Sequence, residues 1–568
     1  MAGDNVATAA HNAVQRRAFV AYFSSIGLGT TLLPGVLWAK AGQQGVVTKE
    51  MIAQAERIAG LDFTEAEREA MVRGLDQNLR AWEQLRSVVI DNAVSPAFVF
   101  DPVPPGMPLP SGRRRIRMSD APRIERPADL EQLAFRPVRQ LAELVRTRRV
   151  TSVELTEMYL ARLKRHDAVL QCVVTLTEQR ALDQARRADR EIAAGRYRGP
   201  LHGIPWGAKD LLAVRGYPTT WGAAPYRDQV IDMDASVVQR LDEAGAVLVA
   251  KLTLGALAQG DQWFGGQTKN PWNLEQGSSG SSAGSASATV AGLVGFSIGT
   301  ETLGSIVSPT TRCGASGLRP TFGRVSRHGA MALCWTMDKI GPICRAVEDC
   351  ALVFDTIHGP DGRDPTVRDL PFNWDATVRV TDLRIGYLQS AFEADHATKP
   401  FDDAVLGVLR RLGAALVPVA LPDRYPVNAL RPILNAESAA AFDELTRSDR
   451  DDLMERSSWP DSFRTARLIP AVEYIQANRL RSLVIQATHD TLKDVDVVVT
   501  PTSGGSWLTL TNFTGHPSVT VPHGFTDNGS PVSISFFGQL YNEAALLAVA
   551  RAYQDATDFH TRRPPRFG

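Results

Sequence analysis

Apolar residues recur at helical spacing early in the chain. Met71, Leu75, Leu79, Trp82 and Leu85 share one helix face. Ahead of them, Thr64-Glu65-Ala66-Glu67 is a capping-box sequence, in which a hydroxyl and a carboxylate three residues apart satisfy the open amides of a first turn. Thr48 is a second candidate N-cap, so residues 47–95 are expected to be helical. Another box, Thr151-Ser152-Val153-Glu154, leads into a helix that carries Leu155, Tyr159 and Leu163 on one side. Farther on, the pattern shortens to continuous apolar runs. Ala246-Val247-Leu248-Val249-Ala250, Arg384-Ile385-Gly386-Tyr387-Leu388 and Val495-Asp496-Val497-Val498-Val499 are candidate buried strands. Helical stretches at 237–243 and from Ala471 onward precede the first and the last. This alternation predicts an α/β fold with helices covering both faces of a central sheet.

Residues 277–309 break both patterns. Small residues from Gly277 to Ser285 run into an apolar segment, Ala288 to Ile298, and then into a second Gly/Thr/Ser turn from Gly299 to Ser305. A flexible linker would not continue in this way, so two backbone-rich turns at opposite ends of one buried element are expected. A phosphate-binding loop requires Gly-Lys-Ser or Gly-Lys-Thr, and neither occurs here. Gly280-Ser281-Ser282-Ala283-Gly284 has the spacing of a nucleophile elbow centred on Ser282. It follows polar residues where an elbow follows a strand. His202, His516 and His523 are the candidate bases of that alternative. A third reading joins Ser281 and Ser305 to a lysine from elsewhere.

Gly203-Ile204-Pro205-Trp206-Gly207-Ala208-Lys209-Asp210, then Ser279–Ser285, then Gly299–Ile306 resemble in order the three motifs of the amidase signature family. Asp338-Lys339-Ile340-Gly341-Pro342 and the run from Cys313 to Ser326 also fit, and the resemblance covers roughly residues 127–560. It implies an amidase signature fold, a mixed sheet between helices, with a Ser–Ser–Lys triad. Ser305 would be the nucleophile, Lys209 the base, and Ser281 the relay on an unusual cis peptide. Backbone amides of Thr302, Leu303 and Gly304, together with that of Ser305, would form the oxyanion hole, and Ser279 and Gly280 would contact substrate. Lysine acts as a base only when neutral, which burial favours, although Asp210 beside it is a complication. Two departures from the family pattern stand in the nucleophile turn: Glu301 for the usual Asp, and Leu303 for a Gly. In the serine loop Ser279 and Ala283 replace two glycines.

The outer segments extend this picture. Arg16-Arg17, an apolar stretch to Trp38 and Ala39-Lys40-Ala41 look like a twin-arginine export signal over residues 1–41, the alternative being a cytoplasmic chain with an N-terminal helix. Residues 42–100 form a helical extension that resembles the small C subunit of tRNA-dependent amidotransferases. Residues 101–127, with seven prolines and Arg113-Arg114-Arg115, read as a linker, and 128–568 as the catalytic domain. Lys+Arg and Asp+Glu are 62 each, so no basic footprint for nucleic acid shows. Five cysteines do not form a disulfide pattern, and no metal motif or cofactor signature is present. No stable membrane span is expected, and a homo-oligomer is compatible with the sequence. The expected activity is hydrolysis of a small-molecule amide through an acyl-enzyme. The alternatives are an A-type glutamine amidotransferase component working on misacylated tRNA, or an inactive member that only binds. Trp206, Trp221, Trp263, Phe264 and Trp335 are candidates for an apolar substrate pocket.

Overall fold

The computed structural model describes residues 47–88, 90–112, 116–120, 124–454 and 456–568. The expected export signal at 1–41 lies outside them, as does the arginine triplet at 113–115. The chain divides into two compact units, Met1–Ile90 and Asp91–Gly568.

In the first unit, helix Lys49–Ala59 opens on Thr48, whose hydroxyl accepts from the Met51 amide, and ends at Gly60 with φ 69°. Helix Glu65–Arg86 opens on the expected capping box. The Thr64 amide donates to Glu67 Oε2 (2.6 Å), and the Glu67 amide donates back to Thr64 Oγ1 (3.3 Å). Arg68 Nε lies 3.1 Å from both carboxylate oxygens of Glu56 and ties the two helices together. The helix stops short of residue 95, so the helical stretch is shorter than expected.

The second unit is built on one eleven-stranded mixed sheet. In chain order its strands are β1 (Val173–Leu176), β2 (Pro205–Lys209), β3 (Val247–Leu252), β4 (Phe296–Glu301), β5 (Ser316–Arg319), β6 (Lys339–Cys344), β7 (Ile385–Leu388), β8 (Leu416–Val419), β9 (Val497–Pro501), β10 (Ser518–Phe525) and β11 (Pro531–Gly538). They lie side by side as β1-β3-β2-β4-β6-β5-β10-β11-β9-β7-β8. β2 runs parallel to β3 and β4, whereas β6 is antiparallel to β4. Neighbouring residues of β3 point to opposite faces, as a pleated strand requires. Leu248 joins a core with Trp206, Tyr159 and Val237, while Val247 and Val249 join another with Leu163, Ala181 and Ala288. Both faces are therefore covered by helices, as the sequence predicted.

Two features differ in detail from expectation. The apolar segment Ala288 to Ile298 is not one element. Helix Ala283–Val290 ends, the chain turns at Gly292, and β4 begins at Phe296. Glycines at 292 and 295 interrupt what composition alone presents as a single run. The proline-rich stretch after residue 101 also packs closely. Pro102 and Pro104 are buried, Arg117 exchanges backbone hydrogen bonds with Trp374 and Ala376, and Ser119 donates to Glu348.

Candidate active site

Lys209 is the last residue of β2, and Thr300 and Glu301 close the parallel neighbour β4. The C-terminal ends of parallel strands are where open α/β sheets place ligands. The serine loop reaches the same edge from the start of helix Ala283–Val290. Lys209 Nζ lies 2.8 Å from Ser281 Oγ, 3.0 Å from Ser282 Oγ and 2.8 Å from Thr300 Oγ1. The lysine is fully buried and its three close partners are uncharged hydroxyls. Burial pushes its pKa well below the ordinary value, and the carboxylates of Asp338 and Glu301 recover only part of that. Asp210 does not interfere. Its carboxylate turns away to Lys251 Nζ at 2.7 Å and to the amide of Thr220 at 2.9 Å.

Ser281 and Ser282 differ in what their oxygens already do. Ser282 Oγ accepts from the Thr300 amide (3.1 Å) and donates to the Thr300 carbonyl (3.1 Å), besides meeting Lys209. Its hydrogen-bonding capacity is used up. Ser281 Oγ has Lys209 as its partner. The Gly280–Ser281 peptide is cis. Glycine is required at 280 because a Cβ there would lie 1.8 Å from the Gly260 carbonyl oxygen. Ser279 sits at φ 60°, in the left-handed region, so its replacement of a glycine concerns backbone conformation as well as size. The Ser279 amide donates to Asp261 Oδ2 (2.9 Å), which holds the loop.

Ser305 follows β4 by a four-residue turn and is bound to the serine loop by the Ser282 amide, which donates to the Ser305 carbonyl (3.1 Å). It is 8% exposed against 1% for Ser281 and 0% for Lys209, so of the three it is the one a substrate reaches. The amides of Leu303, Gly304 and Ser305 donate to no protein acceptor among the described residues. Leu303 has an ordinary negative φ, and the left-handed position falls on Gly304, φ 85°. The leucine therefore imposes no backbone strain. A Cβ at 304 would meet Ser308 Oγ at 3.1 Å.

Glu301 holds this turn from behind. Its Oε2 accepts from the amides of Ile306 (2.8 Å) and Val307 (2.9 Å), and its Oε1 accepts from Arg319 and from Asn512, each at 2.8 Å. Burial alone would raise the carboxyl, but Arg319 and these donors bring it to about 2. Thr302 is fixed on the other side by its hydroxyl, which donates to Asp338 at 2.6 Å. Sequence reasoning identified Glu301 only as a departure and did not single out Thr300, Asp338 or Asp261. Thr300 and Asp338 stand inside the quoted motifs, but which way their side chains point is a matter of strand register.

The histidine alternative finds no geometry. His202 pairs with Glu191, His523 with Asp402, and His516 with Thr514. Of the five aromatic candidates, Trp335 lines the pocket that reaches Thr300 and Thr302, together with Phe98, Met331 and Leu333. Trp206 stacks on Phe296 in the core, Trp221 packs on Tyr226, and Trp263 and Phe264 line a separate depression. Among the described residues there is no cluster of side chains suited to a metal ion, and no helix is long and apolar enough to cross a membrane.

A family model described as Amidase matches residues 154–511, a span that holds Lys209, both serines and the nucleophile turn. The chain belongs to the amidase family. This amidase-family enzyme is 35% identical over 475 residues to the glutamyl-tRNA(Gln) amidotransferase A subunit of Methylococcus capsulatus, covering 75% of the present chain and 98% of that one. It is 32% identical over 490 residues to the same protein of Moorella thermoacetica, covering 76% and 99%. Among solved structures, peptide amidase from Stenotrophomonas maltophilia superposes with a TM-score of 0.70 at 32% identity, covering 77% of the present chain and 99% of its own.

Proposed function

We propose that this protein hydrolyses the C–N bond of small amides with an apolar acyl group, with Lys209, Ser281 and Ser305 as its catalytic residues. The observation that carries the reading is a buried lysine with uncharged hydroxyl partners, next to a turn whose amides have no other acceptor among the described residues. Neutral Lys209 accepts the Ser281 proton while Ser281 accepts that of Ser305, and Ser305 Oγ attacks the carbonyl carbon. The amides of Leu303, Gly304 and Ser305, with Thr302 held beside them, receive the oxyanion; each such donor is worth about 3–4 kcal/mol of barrier. The relayed proton passes from Ser281 to the departing amine. Water then enters by the reverse relay and releases the acid.

The pocket wall favours an apolar acyl group. Most of its charged members are engaged internally: Arg327 with Asp364, Asp338 with the Thr302 hydroxyl and the amides of Leu333 and Cys334, and Lys339 with the Met337 carbonyl, while Arg363 is exposed and meets the Gln239 side chain. The second reading, glutamine hydrolysis within a tRNA-dependent amidotransferase, is favoured by the names of the relatives at 32–35% identity. Free glutamine carries an ammonium and a carboxylate, which would need unengaged partners. Comparing kcat/KM for glutamine with that for acyl anilides decides between them. A preference for glutamine discards the small-amide reading. An exported location is part of the proposal, resting on Arg16-Arg17 and the apolar stretch after them. N-terminal sequencing from the native cell tests it, and an intact Met1 or Ala2 in a cytoplasmic fraction would refute it.

A further inference from the structure

Two cavities of unequal size meet at residues 98–100. The smaller, about 100 Å³, reaches Thr300 and Thr302 beside the catalytic edge of the sheet and is walled by Met331, Leu333 and Trp335. The larger, about 700 Å³, lies against helix Ala471–Leu492 at Tyr474, Ile475 and Ile485. Phe98, Val99 and Phe100 line both. They form a partition between the two, with Thr336 also facing both. The smaller cavity falls below the usual range for a drug-sized ligand and has room for a small group, whereas the two joined fall well within that range.

The partition is attached by hydrogen bonds and an ion pair near its ends and by a ring contact in its middle. Asn92 holds one end: its Nδ2 donates to the Ala332 carbonyl (2.9 Å) and the Ala441 carbonyl (3.3 Å), and its Oδ1 accepts from the Ala332 amide (2.8 Å). At the other end the Phe100 ring meets Phe322 edge-on at 5.0 Å, with the Arg481 guanidinium 3.4 Å from its centroid. Asp101 pairs with Arg368. Between these anchors Phe98 and Val99 are 54% and 52% exposed, and the Phe98 ring meets that of Tyr474 at 6.5 Å between centroids. The partition also precedes the stretch shared with the family, so the shared catalytic machinery does not require it.

We infer that residues 98–100 set the size of acyl group the enzyme accepts. With the partition in place the acyl chain ends at Phe98, and the pocket admits short or compact acyl groups. With the partition thinned or released, an alkyl chain runs on into the apolar space against Tyr474 and Ile485. This rests on the amidase reading above. The test uses full-length protein and the rates at which ethyl and decyl fluorophosphonates label the nucleophilic serine. Phe98→Ala joins the cavities directly. Asn92→Asp loosens the anchor from a residue that itself lines neither cavity, by placing a carboxylate against two carbonyl oxygens, one of them that of the wall residue Ala332. In each variant the decyl-to-ethyl rate ratio should rise about tenfold or more over that of the unmodified protein, the scale on which hydrophobic pockets discriminate added methylenes. A ratio unchanged in both variants, with labelling intact, overturns the partition and leaves the amidase reading standing. No labelling of the unmodified protein by either probe overturns the amidase reading, and this inference with it.

Discussion

Replacing Lys209 with arginine keeps a cation of similar length but removes the ability to be neutral, because the guanidinium does not deprotonate in proteins. Three hydroxyls surround Nζ at 2.8–3.0 Å. A neutral amine, with two N–H groups and one lone pair, fits them: Ser282 Oγ already donates to the Thr300 carbonyl and so accepts from lysine, which leaves the lone pair for the Ser281 proton. An ammonium would have to be desolvated with no carboxylate in contact among the described residues. Burial lowers the Lys209 pKa well below 10.5, so the neutral form becomes available nearer to neutral pH. With lysine as base, log kcat/KM should rise with unit slope as pH increases toward that value, tenfold per unit, and then level off. Lys209→Arg should lose about 10²–10⁴-fold on the plateau, the usual share of general base catalysis, and should lose the lysine-dependent slope. Stability carries the same sign. The unfolded chain binds the proton more tightly, so folding loses about 1.4 kcal/mol per pH unit as pH falls from 10.5 toward the folded value. The assay is steady-state hydrolysis of an acyl anilide from pH 5 to 10, with circular dichroism at each pH. A flat profile, or an arginine variant with the same slope as the parent, refutes a lysine base.

Ser305→Ala and Ser281→Ala should each reduce hydrolysis by at least about 10³-fold with the melting curve unchanged, and a near-native rate in Ser305→Ala would reassign the nucleophile. Glu301→Gln removes the ion pair with buried Arg319, and a loss of about 3–5 kcal/mol is expected from calorimetry; an unaltered melting temperature would mean the carboxylate does not hold the turn. Gly304→Ala forces a side chain into a φ of 85° and toward Ser308, so kcat should fall about 10²-fold as the amides move, while KM changes less. Ser282→Ala should lower stability and activity moderately but leave serine-probe labelling in place, whereas complete loss of labelling would restore Ser282 as the nucleophile.

Helix starts and the buried strands were legible in the residues themselves. A capping box acts within four residues, and Thr64–Glu67 and Thr151–Glu154 both formed as read. Continuous apolar runs became strands inside the sheet, each with a neighbour on both sides, because both faces of this sheet are covered. The order of the Lys209, Ser281 and Ser305 motifs pointed to the family, since each motif is a short stretch whose local backbone conformation its own glycines and serines permit. What lay between the motifs was less legible. Composition shows Ala288 to Ile298 as one apolar stretch, and only packing separates a helix from a strand there.

The residue types at the active edge were written in the sequence, and their relations were not. That Lys209 would be neutral depends on what surrounds it in space: hydroxyls brought from residues 281, 282 and 300, and Asp210 turned away to Lys251. That Leu303 would be harmless depends on which residue of its turn takes the positive φ. Glu301 looked like an exception until Arg319, Asn512 and two amides were seen to converge on it from distant parts of the chain. The partition at 98–100 leaves no mark in the sequence at all. Local rules act over a few residues. Desolvation, charge pairing and cavity shape are set by groups far apart in the chain, and they come into being only when the sheet assembles.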